Sequence, residues 1–204
     1  MGALRGLLLR TLIWLPICFG AWYFLSILFT PLLAALLGTL LSAGFPSVIE
    51  RVLADGNSLT VLTRIQPAAA DGAGELLFDL NPLKYGYCVP LYTSLVLATD
   101  AADWRRVAHW LLGMAVLLAV QVFGISTEIL KVIAFQLGPD GRAALDFAPW
   151  GYETLALTYQ LGYLILPPVL PIMLWLGQFG RAWLTVESAA EKPLASPRDR
   201  HADC

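Results

Sequence analysis

Long uncharged runs alternate with short polar stretches along this chain, and their lengths set the first expectations. Thr11 to Ile49 carries no charged residue. A membrane-spanning helix needs about 20 residues, so this run is too long for one ordinary span and barely long enough for two. One long helix over about 11–41, tilted or projecting beyond the bilayer, is the preferred reading. A tight helical hairpin is the alternative, and nothing charged or turn-rich breaks the run near its middle. Further spans are predicted at about 85–99, 107–135 and 154–180. The 85–99 span is short, with Pro90 near its start; the 154–180 span is bent by Pro167, Pro168 and Pro171. Gly138-Pro139-Asp140-Gly141 reads as a helix stop, which leaves Arg142 to Gly151 as a loop.

Between the first two spans lies the main polar region. Ser58 to Ile65 alternates in part and is rich in β-branched residues; Glu75 to Leu80 alternates more weakly. Asp55-Gly56-Asn57 forms a turn before the first of them, and 67–74 is a small, flexible link. A small β-hairpin region is therefore expected within 48–80. Two strands alone are marginal in water, so the hairpin rests on the membrane surface or on another protein. At the other end, 185–204 is polar and aperiodic and reads as a disordered cytoplasmic tail behind a membrane domain of 1–184.

Composition sharpens the class. The chain is 58% hydrophobic and 14% charged, against about 25% charged for a soluble domain. The expected fold class is an α-helical integral membrane protein of about four transmembrane helices with a small extracytoplasmic β-hairpin region. A net charge of −2 with no basic aromatic patch argues against a nucleic-acid partner; the expected partners begin with the lipid bilayer. Cys18, Cys88 and Cys204 have no disulfide or metal spacing, and no cofactor or metal site is expected. Four crossings put Arg5, Arg10, Arg105, Arg106, Arg181, Lys192, Arg198 and Arg200 on one side, and Arg51, Arg64, Lys84, Lys131 and Arg142 on the other. Eight basic residues against five place both termini in the cytoplasm.

This topology gathers polar groups from three segments at one membrane depth. Asn81-Pro82-Leu83-Lys84-Tyr85-Gly86-Tyr87 opens the second span. Glu128 and Lys131 lie near the outer end of the third, and Tyr152, Glu153, Tyr159 and Gln160 near that of the fourth. Glu128 and Lys131 are three apart, share a helical face and are expected to pair. The bland reading is an aromatic and ionic anchor that fixes helix depth. The sharper one is a docking surface built from Asn81, Lys84, Tyr85, Tyr87, Glu128, Lys131, Tyr159 and Gln160. Gln121 and Gln160 are expected to make interhelical hydrogen bonds.

The segments Asn81 to Tyr87, Glu128 to Phe135 and Tyr159 to Pro167, in that order behind an Arg-flanked Leu12-Ile13-Trp14-Leu15-Pro16, resemble the exosortase H-associated membrane proteins. The resemblance implies a small bacterial inner-membrane protein that accompanies an exosortase, a cysteine transpeptidase-like membrane enzyme that processes C-terminal sorting signals. It brings no catalytic motif with it. The function expected is a non-catalytic accessory that docks the sorting enzyme or its substrate.

Two other functions compete. A cysteine peptidase or transpeptidase would need Cys88 beside a base such as His109, with Arg105 or Arg106 in support. The predicted spans set Cys88 and His109 about 15 Å apart in depth, and His201 lies in the tail. A small transporter would use the proline-broken helices, but no charge lies at mid-bilayer.

Overall fold

A computed structural model of the chain describes residues 2–66, 76–99 and 102–190. Helix α1, Gly2–Gly44, occupies the first apolar run without interruption and continues through Pro16 and Pro31. Three antiparallel strands follow: β1 Ile49–Asp55, β2 Ser58–Thr63 and β3 Leu77–Leu80, in the order β1-β2-β3. Then come α2 (Leu83–Gly86), α3 (Cys88–Ala98), α4 (Asp103–Phe135), α5 (Gly138–Leu145) and α6 (Pro149–Gln160). A π-helical turn, Leu161–Ile165, joins α6 to α7, Leu166–Ala190. Pro167 and Pro168 cannot donate to the carbonyls four residues back, and the helix widens to the π form over that stretch.

Several expectations need correction. Among the described residues, three helical stretches, Arg5–Gly44, Asp103–Phe135 and Pro149–Gly180, are each long and apolar enough to cross a membrane; the expected span at 85–99 does not reach that length by itself. The 85–99 segment divides into α2 and the 11-residue α3, which at 1.5 Å per residue reaches only about 16 Å. The hairpin is a three-stranded sheet. Ser58–Thr63 and Leu77–Leu80 pair as expected, with Thr60 opposite Asp79, but β1 adds a third strand on the other side of β2. Gly56-Asn57 is accordingly the turn between β1 and β2, with Gly56 at φ +57, where a two-residue hairpin turn calls for glycine. The expected loop at 142–151 contains most of the second half of α5 and the start of α6. Gly138 and Pro139 start that helix instead of stopping the previous one for good, because proline suits the first helical turn. The expected tail begins inside α7, which reaches Ala190; its remainder, 191–204, and the 67–74 link lie outside the described residues.

Burial falls into two cores, one above the other. The first joins Cys88, Val89, Tyr92 and Val96 of α3 to Leu117 of α4 and to Trp175 and Phe179 of α7, with Leu7 and Trp22 of α1 packed against them. These residues come from the uncharged runs. The second joins Leu33, Leu37 and Leu41 of α1 to Val52, Leu59 and Val61 of the sheet and to Ile125, Ile129 and Ile133 of α4. Its surroundings carry charge: Glu50, Arg51, Asp55, Asp79, Lys84, Glu128 and Lys131 all lie on these elements or beside them. The sheet lies along the C-terminal half of α1. The Ser26 hydroxyl donates to Asn57 Oδ1 at the hairpin tip, Val52 lies against Gly38, and Ile49 N–H donates to the Phe45 carbonyl.

Candidate functional site

Where the two cores meet, α2, α4 and the π turn bring their polar groups together. Asn81 starts the assembly. Its side-chain oxygen accepts the Leu83 N–H at 2.9 Å, a local turn bond two residues on that leads the chain into α2. From α2 Lys84 reaches α4, where its ammonium forms an ion pair with Glu128. The expected pairing of Glu128 with Lys131 is therefore replaced by one across 44 residues of sequence. Lys131 lies instead over the ring of Tyr159, 4.9 Å from its centroid. A cation over an aromatic face is held by the ring quadrupole, so each lysine has a separate partner.

Tyr85 is the hub. It is 1% exposed, and its ring meets Tyr163 edge-on at 5.7 Å. Tyr163 in turn stacks on Tyr159 at 5.7 Å and 7°. Space for this comes from two glycines. A Cβ on Gly124 would lie 2.7 Å from the Tyr85 ring, and one on Gly162 would lie 3.1 Å from Gly124 Cα. The π turn places Gly162 there and lets α4 and the sixth helix's extension touch backbone to backbone. Glu128 is 5% exposed; its Oε2 and the Tyr85 hydroxyl lie buried without a hydrogen-bond partner among the described residues.

Of the eight residues expected at a docking surface, five form one chain of contacts: Glu128, Lys84, Tyr85, and, through Tyr163, Tyr159 and Lys131. Asn81 supports them through its turn bond to Leu83. Tyr87 is half-buried at the α2–α3 junction, and Gln160 is exposed and outside the chain of contacts. Gln160 makes no hydrogen bond among the described residues, whereas Gln121 donates to Cys88 Sγ at 3.6 Å between α4 and α3. Tyr163, Gly124 and Gly162 were not among the expected site residues. The signal for them is the spacing Tyr159-x-x-Gly162-Tyr163, which puts two rings and a gap on one side of a helix.

The other chemistry-bearing groups are engaged elsewhere. The Cys88 thiol is fully buried and donates to the Tyr85 carbonyl at 3.2 Å. His109 Nδ1 lies 2.7 Å from the Arg105 carbonyl, one turn back on its own helix. The Tyr92 hydroxyl, one turn beyond Cys88, reaches His109 at its carbonyl, which also accepts from Gln178 Nε2 at 3.3 Å. No group of three or more metal-ligating side chains occurs among the described residues.

A family model described as exosortase H-associated membrane protein matches residues 1–182. The chain belongs to this family. Its description associates the family with exosortase H and with the membrane, in agreement with three helices able to cross a bilayer. No curated protein and no solved structure matches the chain.

Proposed function

We propose that the protein is a non-catalytic accessory of an exosortase-type sorting system in the bacterial inner membrane. It docks the sorting enzyme, or the signal that the enzyme processes, at the outer membrane face of the bundle. The observation that carries this is the Lys84–Glu128 pair with its aromatic surround, set at the top of the uncharged layer. Buried charge is costly to keep and is retained where it specifies an arrangement. Here it fixes α2 against α4 and leaves the accessible members of the set, Asn81, Lys84, Tyr87, Lys131, Tyr159 and Gln160, to face a partner. The non-catalytic reading is supported by the separate engagement of Cys88 and His109, since nucleophile and base must share a hydrogen bond or a water.

The test is affinity purification from membranes in mild detergent with the cognate exosortase co-expressed. Lys131→Gln removes a half-buried charge and sets no new carboxylate beside the Lys84–Glu128 pair. Recovery of the enzyme should fall roughly ten-fold, the scale of losing a charged contact at an interface, while the amount of accessory protein in the membrane holds. Undiminished recovery would remove Lys131 from the surface. Recovery of no exosortase with the unaltered chain would sink the docking reading itself.

A further inference from the structure

We propose that the open cavity between α5, α6 and the outer end of α4 binds the headgroup of one zwitterionic aminophospholipid, its phosphate on Arg142 and its ammonium on Glu153. This goes beyond the docking of an enzyme, uses other residues, and stands whether or not an exosortase is the partner. The cavity measures about 560 Å³, within the roughly 300–1,000 Å³ of small-molecule sites. Phe135, Phe147, Tyr152 and Ala156 give it apolar walls, and Arg142 and Glu153 bring charge to it. The rings hold one another: Tyr152 meets Phe135 edge-on at 6.1 Å and Phe147 at 5.6 Å. Arg142 is held against them. Its guanidinium carbon lies 5.0 Å from the Tyr152 centroid and 5.6 Å from that of Phe135. Its carbonyl accepts from the Tyr152 hydroxyl at 3.0 Å and from the Asp146 N–H at 3.1 Å.

Stacking engages the face of a guanidinium and leaves its N–H edge for an oxyanion, and phosphate matches that fork. Among the described residues, neither Arg142 nor Glu153 is in an ion pair. Two opposite charges therefore line one cavity without neutralising each other. A purely anionic ligand suits the arginine and is repelled by the glutamate; a purely cationic one meets the reverse. A phosphate joined to an ammonium by a short linker suits both. Depth makes that ligand a lipid. Glu128 stands at the top of the uncharged layer, and Lys131 and Phe135 lie about 4.5 and about 10 Å further out along α4. The headgroup layer occupies about 5–8 Å on each side of the hydrocarbon core. Trp150, 72% exposed beside the cavity residue Pro149, is an aromatic ring of the kind found at that level. Below Glu153, the exposed Leu157, Leu161 and Leu164 continue at helical spacing toward the uncharged layer. They give acyl chains a path that a soluble zwitterion has no use for.

The test titrates the full chain, purified in mild detergent and stripped of native lipid, with dioleoyl phosphatidylethanolamine and with dioleoyl phosphatidylglycerol. Native mass spectrometry counts the lipids bound. The unaltered chain should bind one phosphatidylethanolamine roughly five-fold more tightly than phosphatidylglycerol, which offers the phosphate without the ammonium. Arg142→Gln should weaken both lipids roughly ten-fold, by loss of a charge-assisted contact to phosphate. Glu153→Gln should weaken phosphatidylethanolamine alone and abolish the preference. Arg51→Gln, at an exposed charge on β1, should change neither. If Arg142→Gln lowers the unfolding temperature, Glu153→Gln still decides, because that exposed carboxylate has no ion-pair partner among the described residues to lose. Equal affinity for the two lipids, or a preference that survives Glu153→Gln or disappears with Arg51→Gln, overturns the proposal. So does displacement of the lipid by soluble phosphoethanolamine at the same concentration, which would make the ligand a free zwitterion.

Discussion

At the scale of single residues, the ion pair is asymmetric, and the asymmetry is testable. The side chain of Lys84 is 34% exposed and that of Glu128 is 6% exposed. Removing the glutamate leaves a lysine that can turn its ammonium to water. Removing the lysine leaves a buried carboxylate whose second oxygen already lacks a partner. Lys84→Ala should therefore destabilise the protein by about 3 kcal/mol, the low end of the range for breaking a buried pair. Glu128→Gln should cost about 1 kcal/mol, the ordinary worth of a hydrogen bond. The midpoint of thermal unfolding in detergent, followed by tryptophan fluorescence, ranks the two; equal shifts would mean that water reaches Glu128. The sequence pointed to the right residues here and to the wrong partner. Glu128 and Lys131 satisfy a local spacing rule, but a local rule is blind to Lys84, which only the folded chain brings to α4.

At the scale of elements, legibility followed the strength of the periodic signal. The spans stand out because their uncharged runs are long, and β2 because its alternation is matched by burial of Leu59, Val61 and Thr63. β1 was hidden by its own irregularity. Its pairing register shifts between Ile49 and Arg51, so buried positions do not alternate along Ile49–Asp55. α5 was hidden because Gly138-Pro139 serves a helix start as well as a stop. The α4–π-turn contact was illegible for a different reason, since it depends on two glycines whose value lies in what they omit. Gly124→Ala pushes a methyl into the Tyr85 ring and toward the Gly162 carbonyl. Neither element can retreat without moving a buried helix face, and the expected cost is about 1–3 kcal/mol. Gly177→Ala, inside α7 where nothing lies within 4 Å, is the control and should stabilise by about 0.5–1 kcal/mol, since alanine is the better helix former. If the two variants unfold at the same temperature, the close approach of α4 to the π turn is not a constraint on the fold.

At the scale of the whole molecule, the number of times the path crosses the membrane decides which groups share a side. Counting only helices long enough to span among the described residues gives three, and that number would separate the termini. The contacts of α2 and α3 support four passages. Lys84 meets Glu128, Cys88 meets Gln121, and Tyr92 meets the backbone of His109, so the segment runs antiparallel to α4 over the whole stretch from Glu128 to His109. That stretch of α4 is about 28 Å long at 1.5 Å per residue, close to the hydrocarbon thickness of about 30 Å. α3 is too short to qualify by itself, yet α2, the junction at Tyr87 and α3 together cover the height. Basic residues divide eight to five in favour of cytoplasmic termini on a four-passage path. A reporter active only outside the cytoplasm should then be active when inserted at Gly56, in the β1–β2 turn, and inactive after Asp103 or at the C-terminus. Activity at the C-terminus with none after Asp103 would instead mean that α3 reaches the inner face but that the final helical stretch ends outside. Activity after Asp103 would mean that α2 and α3 never cross, and the Lys84–Glu128 pair would then lie deeper than the charge distribution of the other elements implies.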